Sequence, residues 1–136
     1  MPLNLDYVFL YQAEPIIDLI VADLASGLEV TTFALFDTGA ELSLFDERIA
    51  HDIGLNLADA QIVRLRGISG VDVVARRATV RLRLLDEEDL SVILTISFAP
   101  NVERRLGNLL GLDILSQFDF GISHANSIGY LGRALA

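Results

Sequence analysis

The chain is predicted to be mainly β-structure, with one or two short helices. Short runs of Val, Ile, Leu and Phe are separated by turn residues along most of its length, the punctuation of strands joined by tight connections. Two of the runs alternate apolar with polar residues, which is the period of a strand with one buried face. With 136 residues, 52% of them hydrophobic, and a mean hydropathy of +0.48, the chain can bury a proper core without staples, and disorder is disfavoured.

Ile16 to Leu24 and Leu28 to Phe36 are strand candidates, joined as a hairpin across Ala25-Ser26-Gly27, with Asp37 at the far end. Phe45 to Gly54 reads as a short helix, because Asp46 can cap the first free N–H groups and Gly54 can stop the last turn. The β pattern returns at Gln61 and is interrupted by Gly67-Ile68-Ser69-Gly70. Val80, Leu82 and Leu84 then alternate with Thr79, Arg81 and Arg83, and Leu90, Val92, Leu94, Ile96 and Phe98 repeat the alternation. The acidic run Asp86 to Asp89 is expected in the hairpin turn between them. Asn108 to Gly111 ends a further apolar run. Leu112 to Gln117 has room for a helical turn or two before Phe118 to Ile122, and Ser127 to Leu131 is a last short strand. Neither a linker nor a low-complexity tract interrupts residues 1–136, which read as one domain.

Composition removes several classes of function. No apolar stretch approaches the roughly 20 residues that cross a bilayer, so no membrane partner is expected and the excess hydrophobicity is assigned to a core plus a subunit interface. Met1 to Asp6 lacks the basic start and apolar segment of a secretory signal. The chain has no cysteine, which excludes disulfides and thiol chemistry; a cytoplasmic setting is expected. A formal charge of −9 speaks against nucleic acid, which wants a net basic face, and favours solubility. Arg76-Arg77 and Arg104-Arg105 are too few for a phosphate-binding patch. His51 and His124 share no metal-ligand spacing and read as surface or capping residues. Four adjacent carboxylates at 86–89 read as a solvated loop rather than a hard-cation site.

Asp37-Thr38-Gly39-Ala40, at the end of the apolar run Phe33 to Phe36, carries the functional signal. A strand that ends this way presents a carboxylate on a tight turn. Phe33 to Leu44 resembles the catalytic loop of the retropepsin-like aspartic peptidases, the single-domain relatives of pepsin. Arg66 to Val71 is similar to their glycine-rich flap tip. Asn108 to Leu115 resembles the hydrophobic-hydrophobic-Gly motif that packs behind the loop. The resemblance runs from about Ile16 to Leu131, in order and at suitable spacing. It implies a closed, β-barrel-like acid-protease lobe. Asp-Thr-Gly occurs once, so the second aspartate must come from another copy, and the resemblance implies a homodimer that forms the active site. One departure concerns an ion pair of viral members, whose acidic partner follows Asp-Thr-Gly-Ala and whose arginine follows the late glycine. Glu41 stands at the first place but Leu112 at the second, so either Glu41 faces substrate or solvent, or Arg64, Arg66 or another base compensates.

In the chemistry so implied, Asp37 and its copy face each other and share one proton, because two close carboxylates cannot both ionise cheaply. One takes a proton from a lodged water, the water attacks the peptide carbonyl, and the other donates toward the oxyanion. No cofactor and no metal is called for. Thr38 would lock the facing loops, and Gly39 would admit backbone and substrate closely. Gly67 and Gly70 would let the hairpin tip lift while Ile68 covers the substrate and Ser69 or a backbone amide hydrogen-bonds to it. Ala40, Glu41, Leu42 and Val71 complete the expected substrate groove, in which an extended polypeptide lies as an added strand. The implied activity is that of an aspartic endopeptidase. A second reading keeps the fold as a catalytically weak or inactive dimer that binds or assembles. The bland alternatives are a turn-forming Asp before Gly and an ordinary hairpin loop at 67–70. A phosphoryl-acceptor role for Asp37 is set aside because strand–helix alternation is missing.

Overall fold

The computed structural model describes residues 7–66, 72–85, 87–105 and 107–133. In chain order the elements are β1 (Tyr7–Leu10), β2 (Ile16–Ala22), β3 (Glu29–Phe36), β4 (Leu44–Asp46), α1 (Glu47–Asp52), β5 (Ile62–Arg66), β6 (Asp72–Leu84) and β7 (Glu87–Ala99). They are followed by α2 (Val102–Arg105), β8 (Asn108–Leu110), α3 (Leu112–Leu115), β9 (Phe118–Ser123) and β10 (Ile128–Arg133). The mainly β expectation therefore holds, with three short helices instead of one or two.

The β2–β3 hairpin forms for reasons written in its residues. Ile17, Leu19 and Val21 on β2 and Thr32, Ala34 and Phe36 on β3 are buried, while Asp18 and Phe33 face out, as a half-buried pair of strands requires. At the turn the Asp23 carboxylate accepts the Ser26 hydroxyl at 2.7 Å and the Ser26 N–H at 3.0 Å, and Gly27 takes the positive φ of 75° that closes it.

Strand order in the larger sheet is β2-β3-β8-β4-β7-β6-β5, and a further pairing of β2 with β6 closes six of these strands into a barrel. Among the described residues β5 is left outside the closure, attached only to β6. β3–β8 and β4–β7 run parallel, whereas β2–β3, β2–β6, β5–β6 and β6–β7 are antiparallel. Inside the barrel Ile17, Val21, Phe45, Val80, Leu82, Ile96 and Phe98 make the apolar core. A small apolar cavity remains among Ile17, Leu82, Leu90, Leu115 and Phe118.

A second sheet, ordered β1-β10-β9, docks on the barrel through aromatic rings. Phe9 packs edge-on against Phe36 with centroids 5.2 Å apart, and Phe120 does so at 6.4 Å, the geometry ring quadrupoles prefer. Phe9 lies directly over its register partner Gly129, where an added Cβ would come within 2.1 Å of the ring.

Most expected elements sit where the sequence placed them, and Asp46 caps α1 by accepting the Arg48 N–H at 3.0 Å. Three differences stand out. Phe45 and Asp46 belong to β4, so the helix begins at Glu47. The hairpin turn is tighter than the acidic run 86–89, because an irregularity at Arg83/Leu84 brings Leu84 opposite Glu87 and draws residues 87–89 into β7. β1 and α2 appear without having been expected. Among the described residues no helix is long and apolar enough to cross a membrane.

Candidate functional site

β3 ends on Phe36, buried against Phe9 and Phe120, and Asp37 is the first residue past it. The Asp37 N–H donates to the Leu110 carbonyl at 2.9 Å, extending the parallel β3–β8 ladder by one step. From there the chain turns sharply. The Ala40 N–H donates to the Asp37 carbonyl at 3.2 Å, and the Gly39 N–H donates to Asp37 Oδ1 at 3.0 Å. A Cβ on residue 39 would stand 3.3 Å from that same carboxylate oxygen, so glycine leaves space for the side chain to fold back over the turn. Asp37 is half-buried, Thr38 and Gly39 are exposed, and Ala40 is half-buried. The carboxylate thus stands on an open surface with its backbone fixed.

The support lies behind the turn. Leu112 and Asp113, at the start of α3, donate their N–H groups to the carbonyls of Ala40 and Glu41 at 2.9 and 3.1 Å. Gly111 lies against the loop backbone so closely that a Cβ would be 2.7 Å from the Leu42 carbonyl carbon and 2.8 Å from the Ala40 oxygen. Backbone rests on backbone here, and no side chain fits.

Two buried polar residues and one acid complete the frame. Both Asp113 carboxylate oxygens accept the Ser43 N–H at 3.0 Å, and Oδ1 also accepts the Ser43 hydroxyl at 2.6 Å. The Ser43 oxygen in turn accepts the Gly111 N–H at 2.8 Å. Asn108 donates to Thr32 Oγ1 and the Phe33 carbonyl, both at 3.0 Å, and accepts the Asp46 N–H at 2.9 Å. It therefore ties together the two strands that enter and leave the loop. Such interior groups are tolerated because every donor and acceptor finds a partner.

The site residues read from the sequence divide into two sets. Asp37, Thr38, Gly39, Ala40 and Glu41 share one loop, and Glu41 is exposed, with no ion pair among the described residues. Gly67, Ile68, Ser69, Gly70 and Val71 lie outside the described residues. The strands that flank them, β5 and β6, pair from Ile62↔Arg76 to Arg66↔Asp72. The inner face of this hairpin, Val63, Leu65 and Val73, packs with Ala75, Ala99 and Val102 against Leu44, the residue after Ser43. The hairpin is thereby rooted beside the loop. Ser43, Asn108 and Asp113 were not singled out as supports, although a lone polar residue inside each of the runs Leu42–Phe45 and Asn108–Leu110 was a usable signal. His51 is exposed in the last turn of α1, and His124 Nδ1 lies 2.9 Å from the Tyr11 hydroxyl. Among the described residues no three acidic or histidine side chains converge on a metal-sized site.

Comparison with known proteins bears on the same loop. A family model described as "Aspartyl protease" matches residues 23–114, which include Asp37 and Asp113. No curated protein is significantly similar to the chain in sequence. Among solved structures, a retropepsin-like aspartic protease from Rickettsia conorii superposes with a TM-score of 0.67 at 15% identity, covering 93% of this chain and 89% of that one. EIAV protease, solved with an inhibitor, gives 0.59 at 18% identity, covering 79% and 90%. At these identities the likeness is one of fold: this chain adopts the retropepsin-like barrel.

Proposed function

Because the chain belongs to the aspartyl protease family, we propose that it is an aspartic endopeptidase whose active site forms between two copies, each contributing Asp37. The observation that carries the proposal is the half-site itself: one half-buried carboxylate on an exposed turn whose backbone is pinned from behind by residues 108–113. Rigid placement of a group on an open surface is what a second, identical loop needs if it is to face it. Family resemblance supplies the rest, including the roles of Thr38, Gly39 and the 67–70 tip.

Catalysis then follows from the pair. Held at hydrogen-bond distance, the two Asp37 carboxylates keep one proton between them. The ionised member takes a proton from a water as its oxygen attacks the carbonyl carbon, and the protonated member donates to the carbonyl oxygen. Collapse of the resulting diol breaks the C–N bond, with the proton passed to the departing amine. The two protonation steps belong to the dyad rather than to one residue, so the rate against pH is bell-shaped, with its maximum on the mildly acidic side.

The test incubates the chain and its Asp37→Asn variant with a diverse peptide library from about pH 4 to 8, with cuts read by mass spectrometry. The parent is expected to cleave, and the variant to lose at least about 1,000-fold in rate while remaining folded. Cuts that persist in Asp37→Asn would remove Asp37 from the catalysis, and a parent that is dimeric yet silent across the library would point to the binding-module reading instead.

A further inference from the structure

Charge is distributed unevenly over this chain, and the unevenness lies beside the candidate site. The β5–β6 hairpin, residues 62–84, carries Arg64, Arg66, Arg76, Arg77, Arg81 and Arg83 but a single acid, Asp72, in a chain with 10 basic and 19 acidic residues and a formal charge of −9. Every one of the basic residues is an arginine.

Three of the hairpin arginines have structural work. Arg76 donates to the carbonyls of Leu57 and Ala58, Arg77 to Ser97 Oγ and the Thr95 carbonyl, and Arg83 to Glu29. Arg64 and Arg66 do not: both are exposed, and among the described residues neither makes an ion pair or a side-chain hydrogen bond. They alternate with Val63 and Leu65, whose side chains anchor the hairpin on Leu44, so their positions are fixed by packing on the opposite face. Among the described residues β5 is also the edge of its sheet, paired only with β6, and an open edge accepts an extended chain. Beside the guanidinium groups on the same face stand Ile62 and Val74, 54% and 50% exposed.

From this placement we propose that the enzyme selects acidic substrates: an extended polypeptide with an apolar centre and Asp or Glu on the flanking residues, paired with Arg64 and Arg66. The proposal rests on the peptidase reading for its location and goes beyond it in substrate class. Val63 and Leu65 on the opposite face of β5 pack with Leu44, close in sequence to the loop that begins at Asp37, so an extended chain added along the β5 edge beside that loop runs past Arg66 and then Arg64, about 7 Å farther along the strand. A planar guanidinium grips a carboxylate through two parallel N–H···O bonds. The acidic remainder of the molecule repels the same peptide, which confines its productive approach to the hairpin side.

Binding, rather than cleavage, is the decisive measurement, because it separates this proposal from the catalytic one. Fluorescein-labelled peptides with a common apolar centre and Glu, Gln or Lys flanks are titrated by anisotropy against the full-length Asp37→Asn chain, at about 20 and 300 mM salt. The Glu-flanked peptide is expected to bind about 10-fold tighter than the Gln-flanked one at low salt, the sum of two exposed charge pairs, and the margin to shrink at high salt. Arg64→Glu/Arg66→Glu, checked by circular dichroism, is expected to reverse the order in favour of Lys flanks. Equal affinities, an order untouched by the reversal, or no binding of any peptide would overturn the proposal. So would loss of the dimer in the reversed variant, read by sedimentation, since the arginines would then serve a second copy. Cleavage by the parent is scored separately: cuts without charge preference end this proposal alone, whereas charge-selective binding without cuts ends only the catalytic reading.

Discussion

Asp113 does at the residue scale what no neighbour on its own helix could do. Its carboxylate holds both the N–H and the hydroxyl of Ser43 while that hydroxyl's oxygen takes the Gly111 N–H, so one acid fixes the far end of the loop that begins at Asp37. Glu41 makes no ion pair among the described residues, and the Ser43–Asp113 couple is the lock observed at this end of the loop. Asp113→Ala is expected to lower stability by about 2–3 kcal/mol, because a buried N–H and hydroxyl lose a charged acceptor. Asp113→Asn keeps one carbonyl oxygen and should cost about 1 kcal/mol. Urea unfolding of the two variants measures the difference; equal losses would refute the assignment. A smaller effect belongs to Asp23, whose carboxyl is held below the usual carboxylate range first by the Ser26 hydroxyl and then by the Ser26 N–H. Its folded value lies below the unfolded one, so the turn's contribution is present above the ordinary value and fades as pH falls below about 4. Acid-unfolding curves of Asp23→Ala should lack that part of the slope, and superimposable curves would remove Asp23 from the account. Asp37 was legible in sequence because its turn is contiguous; the Ser43–Asp113 contact joins residues 70 apart, and each alone looks like an ordinary polar residue.

Elements were legible in proportion to how local their causes are. The β2–β3 and β6–β7 hairpins announce themselves through alternation, and α1 through Asp46 and Gly54, which takes a φ of 78°. β1 and α2, of four residues each, depend on partners far along the chain and carry no periodic signal of their own. β8 shows the same limit: its three residues make sense only between β3 and β4. The β1–β10 pairing offers a test of how one sheet steadies another. Gly129→Val puts a side chain where the Phe9 ring lies, and that ring rests on Phe36, the residue before Asp37. The variant is expected to lose about 1–3 kcal/mol through overpacking, and Gly129→Val/Phe9→Ala to regain part of it as the ring is removed. A double variant no better than additive would show that the ring is not the medium.

For the whole molecule, the proposed assembly has a kinetic signature. If each copy supplies one Asp37, activity per chain must fall on dilution as dimers separate, and mixing parent with Asp37→Asn must inhibit beyond simple dilution through mixed pairs. Constant specific activity over a wide concentration range would rule the shared site out. The barrel closure has a further consequence, in time. The loop at 37–43 receives its support from residues 108–113, and β8 must slot between β3 and β4 before either flank is complete. A chain emerging from the ribosome therefore carries its aspartate long before it can hold it in place, since pairings this distant in sequence form late. On the peptidase reading proposed above, the nascent polypeptide stays inert until residues 108–113 have been made and can brace the Asp37 turn.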